Sequence, residues 1–447
     1  MATITTSLTL DIRDRAPDIA SGSAHLVSPA GAWKKAVPPG YPVDMFGYAA
    51  FGSFGSGLYL PWIGPAGAYV HALSGGHGHP GFYGALVCTA HDGAWSYRAC
   101  RNKAAADGVR PIPAAATTGK PYYEVLACQP DQVPAWCHSY GNAVGVAPER
   151  GGGPEGSILY LGRASVDAGG GACSPAAHIL ELETMLWRRA TDVAGGFANF
   201  EQRAIDDPVA HRYYVVPREL QYLQALRYID GKTLQWRDTA KFRGGKYGPA
   251  VQGSALGLMI VDRVLLVVRG TRLFGVHLED PGAGMIELEM QGEPLEDDYS
   301  QPALHTDGVA YRRLSRGQGQ RLQRIIRPDA DLITGRWTID SIQIEGDAIP
   351  DYPAQPYMTT SAYRNLASVP ALGCLAWFTP NGVAHIKPPA PGGGHVPSPP
   401  PAEPAPAEPV APPPLQPDSS VIVPPVHPAE EKLARVRSAL AELLATL

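Results

Sequence analysis

Six arginines, Arg312, Arg313, Arg316, Arg321, Arg324 and Arg327, fall within a stretch of 16 residues. Guanidinium groups at that density bind phosphate or carboxylate through paired N–H donors. The alternation over residues 321–327 predicts a hairpin that carries its arginines on an exposed face. Such a face would suit an anion, an acidic partner or nucleic acid in passing contact through a ring. The carboxylates of Glu293, Glu296, Asp297 and Asp298 are available to neutralise it. A second group, His71, His77 and His79, lies in a glycine-rich loop. Imidazoles so spaced hold a transition metal if the loop is rigid. Glycines surround these three, and no nearby carboxylate completes a ligand set. His77 and His79 are therefore the only metal candidates, and the expectation is no metal and no other cofactor.

The six cysteines contain no Cys-x-x-Cys pair, which leaves a zinc ribbon or a redox dithiol unsupported. There is no nucleophile elbow, P-loop, HExxH helix or dinucleotide fingerprint. No catalytic residue is assigned, and an enzyme is not expected.

The elements that position these groups follow from composition. The chain has 447 residues, of which 50 are Gly and 45 are Pro, while only 18% are charged. Gly and Pro oppose helix interiors, so short strands joined by turns are expected. A net charge of −5 argues against a general nucleic-acid-binding surface. No apolar run approaches 18 residues, so membrane insertion is not expected. The start of the chain, Met1 to Ile12, has no basic and apolar leader pattern. Synthesis in a bacterial cytoplasm is the corresponding expectation.

Four segments are expected. Residues 1–43 form an N-terminal arm or first strand, with Ile4–Ile12 the strand candidate. Residues 44–387 form the β body. Residues 388–428 form a linker: 17 of its 41 residues are proline, and such a chain extends as polyproline II. Residues 429–447 form an amphipathic helix. Its Leu433, Val436, Leu440, Leu443 and Leu447 recur at alternating spacings of three and four, with Leu444 beside them. A seam this short is marginal alone. It suits docking on a second copy or on another structural protein.

Within the body, strand and turn signals recur. A hairpin surrounds His91-Asp92-Gly93. Leu256–Val268 is two apolar runs broken at Asp262-Arg263. Met285–Met290, Gly335–Ile344 and the hairpin Cys374–Ile386 follow. Trp95, Trp187, Trp236 and Trp337 occupy comparable places in successive units. Gly156–Gly162 with Leu180–Arg188 resembles one kelch repeat: an inner strand ending in glycine, an outer strand, a short turn and a tryptophan. Tyr228–Arg237 resembles the end of another. The resemblance implies an all-β fold, a β-propeller of kelch-like blades.

Copper-dependent galactose oxidases are similar propellers. Their chemistry would need a Tyr–Cys pair and converging histidines, for which Cys100, Tyr122 and His138 are the residues of suitable type. A weaker likeness is to propellers of bacteriophage tails. The functional expectation is a non-enzymatic structural or interaction protein of a virion, docked through its C-terminal helix. The alternative is a cytoplasmic, carbohydrate-binding or carbohydrate-active propeller, with Phe54, Tyr59, Trp62, Tyr69, Phe82 and Tyr83 stacking on a glycan.

Overall fold

The computed structural model describes residues 19–37, 57–76, 79–98, 141–161, 177–191, 202–252, 256–314, 319–351 and 364–389. They form a six-bladed β-propeller. Strand β1 (Ser23–Ser28) comes first and belongs to the last blade. Blade one is β2 (Gly57–Leu60), β3 (Ala68–Gly76), β4 (His79–Thr89) and β5 (Trp95–Arg98). Blade two is β6 (Ala143–Val146), β7 (Ser157–Tyr160), β8 (Ala177–Glu181) and β9 (Leu186–Thr191). Blade three is β10 (Arg203–Asp207), β11 (Arg212–Val216), β12 (Arg227–Asp230) and β13 (Trp236–Asp238). Blade four is β14 (Leu256–Val261), β15 (Val264–Arg269), β16 (Arg272–His277) and β17 (Ile286–Glu287). Then β18 (Met290–Gly292) lies parallel on the far edge of blade five, which is β19 (Ala303–Leu304), β20 (Ala310–Arg312), β21 (Arg321–Ile326) and β22 (Trp337–Gln343). Finally β23 (Glu345–Gly346) lies parallel on β1, and blade six is β24 (Leu366–Val369), β25 (Cys374–Thr379), β26 (Gly382–Lys387) and β1.

The ring closes through β1, which pairs antiparallel with β26, Ser23 opposite Lys387 and Ala24 opposite Ile386. Closure ties the two ends of the described chain together and leaves blade six without a missing outer strand. The short strands β18 and β23 act as hand-overs. Residues 285–290, expected as one strand, divide between two blades: β17 pairs with β16, and β18 pairs with β22.

Six apolar clusters fill the spaces between neighbouring blades, one for each junction around the ring. Each sheet is therefore buried on both faces. In β15, Leu265 and Val267 face the blade-three junction, while Val264, Leu266 and Val268 face blade five. This is why 256–268 reads as almost continuous apolar sequence rather than alternation. The break at Asp262-Arg263 is the hairpin turn, with φ of 41° and 66°.

The four tryptophans open the fourth strand of their blades: Trp95 in β5, Trp236 in β13 and Trp337 in β22 are first residues, and Trp187 is the second of β9. Three of the preceding turns share one construction, an acid followed three residues later by Thr and six residues later by Trp. Asp230 Oδ1 accepts from the Thr233 N–H at 2.9 Å, and Asp331 Oδ1 from the Thr334 N–H at 2.9 Å. Thr184 Oγ1 donates to Glu181 at 3.2 Å. Backbone donors hold the Asp230 and Asp331 carboxyls below the usual range. Trp337 is buried, and its Nε1 donates to the Leu332 carbonyl at 2.9 Å.

One detail of the kelch-like reading is corrected. The segment 156–162 supplies β7, the second strand of blade two; the innermost strand is β6. A compact unit spans Met1–Gly394, and a second spans His395–Leu447. The Ile4–Ile12 strand, the linker beyond Pro389 and the 429–447 helix lie outside the described residues.

Candidate functional site

The innermost strands β2, β6, β10, β19 and β24 border a central cavity of about 340 Å³, with Leu58, Tyr59, Trp62 and Arg364 on its wall. The inner strands β6 and β24 are each preceded by an asparagine that fastens them to the strand beside them. Asn142 Nδ2 donates to the Leu161 carbonyl at 2.6 Å, and Asn365 Nδ2 to the Phe378 carbonyl at 2.6 Å. At this end of the ring two arginines approach the axis. Arg203 Nε donates to the Leu256 carbonyl at 2.9 Å. Arg364 donates to the carbonyls of Ala143 and Ala204, and through Nε to Gln301 Oε1 at 3.0 Å.

These two guanidiniums meet over Gly141, which has φ +83°. A Cβ there would come within 2.8 Å of Arg203 Nη1 and 3.4 Å of Arg364 Nε. Burial, reinforced by the neighbouring Arg203 charge, pushes Arg364 down to about 9. Arg364 thus clamps blades two, three, five and six at the channel mouth. Neither Arg203 nor Arg364 stood out in the sequence. The available signal was an arginine adjoining Gln or Asn immediately before a short apolar strand.

At the other end of the inner strands lies a second cavity of about 600 Å³, bordered by Asp206, Asp207, Asp262 and Arg263. Its carboxylates are engaged. Arg263 reaches Asp207 at 2.6 Å and Glu279 at 2.6 Å, while Arg150 pairs with Asp206. The channel is therefore bordered by carbonyl-bonded arginines at one end and by ion pairs at the other.

The arginine cluster does not form one exposed face, which corrects that expectation. Arg312 is buried, and its donors end on the carbonyls of Glu296, Asp298 and Ser300. Arg313 is buried against the Trp377 ring at 5.3 Å, bonded to Asp351 at 2.7 Å and to the Ile349 carbonyl at 3.3 Å. Burial lowers both below the ordinary arginine value, their neighbouring carboxylates opposing. Arg321, Arg324 and Arg327 are more accessible and paired: Arg321 with Glu293 at 2.7 Å, Arg324 with Asp340 at 2.5 Å, and Arg327 with Asp262 at 2.6 Å. Arg312 ends β20 beneath the 293–300 loop, whereas Arg313, one residue on, turns to Trp377 and the 349–351 segment; sequence spacing encodes neither proximity. Arg316 lies outside the described residues.

Of the metal candidates, His77 lies outside the described residues, and His79 falls in β4 without a described side chain. Among the described residues no group of three His, Cys, Asp or Glu side chains is placed to hold a metal. Cys100, Tyr122 and His138 lie outside the described residues, as do Leu433, Val436, Leu440, Leu443, Leu444 and Leu447. Cys88 and Cys374 are buried thiols, and burial pushes Cys374 up to about 12.

Of the aromatic residues weighed for sugar stacking, Tyr59, Tyr69 and Trp62 have described side chains. Tyr69 is buried and stacked on Phe378 at 4.6 Å. Tyr59 donates to the Ala66 carbonyl at 2.7 Å, and the Trp62 indole to the Glu155 carbonyl at 3.1 Å. Phe54 lies outside the described residues, as do the side chains of Phe82 and Tyr83.

The fold and the channel define a six-bladed β-propeller protein whose axial polar groups are largely committed to its own backbone. No protein-family model matches the chain, and no curated protein matches it.

Proposed function

We propose that the chain is a non-enzymatic interaction protein, in which a closed propeller carries a proline-rich spacer and a C-terminal helix that docks on a second copy or on another structural protein. The supporting observation is how the chain leaves the ring. β26 ends at Lys387 and is held between β25 and β1, and Ser21 Oγ donates to the Pro388 carbonyl at 3.4 Å. The spacer therefore starts from an anchored point. A semi-rigid segment of 41 residues beginning there sets the reach of the helix, and tethering raises its effective concentration at a docking groove.

A kelch-like blade organisation is the narrower structural form of the proposal, supported by the tryptophan that opens the fourth strand in four blades. A bacteriophage particle is its narrower setting. The layout of ring, spacer and assembly helix suits a repeated component of a larger structure, and that placement rests on analogy of fold.

The test is the solution mass of the full chain beside a truncation ending at Lys387. A defined oligomer that becomes monomeric on truncation is the expected result. Two monomers exclude self-docking. The reading then requires a structural partner retained by the full chain and lost by the truncation, and it fails if neither behaviour is seen.

A further inference from the structure

Between blades two and three lies a cavity of about 370 Å³. It sits at the opposite end of the strands from Arg203 and Arg364: Arg203 begins β10, whereas His211 stands in the turn after β10 ends. The cavity is bordered by Arg150 and Gly152 from the β6–β7 turn, Arg188 from β9, His211, and Gly231 and Lys232 from the β12–β13 turn.

The cavity is cationic. Arg150 gives one N–H to Asp206, and Arg188 Nε pairs with Glu181 at 2.9 Å. Lys232 makes no ion pair among the described residues, and no carboxylate belongs to the lining itself; Asp230, on the same turn, is turned to the Lys232 and Thr233 N–H groups. Donors are also left over. Arg150 Nε and Nη2, on a guanidinium that lies over the Tyr213 ring at 5.3 Å, are buried without a hydrogen-bond partner, and so is His211 Nε2, a donor in the Nε2–H tautomer. Native structures pair such groups, and an orphan donor beside a cavity calls for an acceptor in it.

The backbone is shaped to hold them there. His211 has φ +54°, a left-handed conformation costly for a residue with a side chain. Its ring lies against Gly231, where a Cβ would come within 2.2 Å of His211 Cδ2. The Gly231 N–H donates to the His211 carbonyl at 2.8 Å, fixing the two turns together. Gly152 closes the opposite turn, where a Cβ would meet the Val146 carbonyl oxygen at 2.0 Å.

We infer that this cleft binds a small phosphate-bearing ligand, with Arg150 and His211 donating from within and Lys232 and Arg188 closing the rim. The donors come from two blades and from several directions. A tetrahedral anion accepts from such a set, whereas a carboxylate prefers donors in one plane. The site is separate from the Arg203 and Arg364 clamp.

The experiment is calorimetric titration of the full chain with inorganic phosphate, with glycerol 2-phosphate and with glucuronate. Phosphate or its ester is expected to bind saturably. Lys232→Ala and His211→Gly should each weaken binding by about tenfold or more. Both variants preserve the fold, because Lys232 is exposed and glycine suits the backbone at 211. Arg243→Ala, which breaks only the exposed pair with Asp280, should leave affinity unchanged. Binding of the ester alone assigns a phosphate monoester; equal binding of both assigns the phosphate group itself. Absence of saturable binding up to about 10 mM, unchanged affinity in both variants, or glucuronate binding as tightly as phosphate overturns the assignment.

Discussion

The Arg364 guanidinium donates to the carbonyl of Ala204, 160 positions earlier in the chain. The same group reaches Ala143, so one side chain ahead of blade six fastens the starts of the inner strands of blades two and three. A propeller has no single core to hold its blades in register. Its apolar junctions lie between neighbours, and only groups near the axis can span the ring.

Arg364→Met should therefore destabilise the protein by on the order of 3 kcal/mol, because it leaves buried carbonyl acceptors unpaired. Arg364→Lys should recover only part of the loss, since an ammonium lacks the planar fork that reaches two carbonyls and Gln301 together. Denaturant midpoints of the three proteins measure this. Equal midpoints would show that the clamp contributes nothing.

The arginine-rich segment should divide by burial. Arg312→Met removes the partner of three loop carbonyls and should cost about 3 kcal/mol. Arg321→Ala removes half-exposed ion pairs with Glu293 and Glu296 and should cost less than about 1 kcal/mol. Thermal melts of both variants distinguish the two roles.

Ring closure should depend on β1. A chain lacking residues 1–28 loses the strand paired with β26 and exposes that edge. With β1 having 6 residues and each strand hydrogen bond contributing about 1 kcal/mol, the loss should be on the order of 5 kcal/mol. Hydrogen exchange should localise it to residues 383–387 before the rest of the ring.

Gly156 has φ +79°, and a Cβ there would lie 2.2 Å from the Trp62 Nε1. Gly156→Ala combines left-handed strain with displacement of the indole, so a loss of about 2–4 kcal/mol is expected. Restoration of the melting temperature by a second change, Trp62→Ala, would show that the clash dominates the strain.

Acid should weaken the fold through two buried histidines. Burial lowers His71 to about 3 from 6.5, and burial with nearby His25 and His91 lowers His385 to about 4 despite its bond to the Ala90 carbonyl. The folded state holds both imidazoles neutral, while the unfolded chain takes up protons as pH falls through 6.5. Stability should be unaffected by this pair above that value and should decline between about pH 6.5 and 4. The slope approaches about 3 kcal/mol per pH unit when two protons are taken up. Denaturant unfolding at several pH values gives the slope directly, and His385→Gln should reduce it by up to about half.

The sequence by itself determined the all-β propeller class and most of the second, third and fourth strands. The central strands are buried on both faces, so their apolar runs are written locally, as in 256–268 and 374–386, and the more exposed fourth strands are marked by their opening tryptophans. Inner strands such as β6 and β19 escaped notice because they are short, with 4 and 2 residues, too few to show a pattern. Only the tertiary structure decided that β1 completes blade six, that 285–290 serves two blades, and that Arg312, Arg313 and Arg364 turn inward. The reason is physical: a strand's burial follows from its own side chains, whereas a guanidinium is buried only where distant carbonyls are brought to receive it.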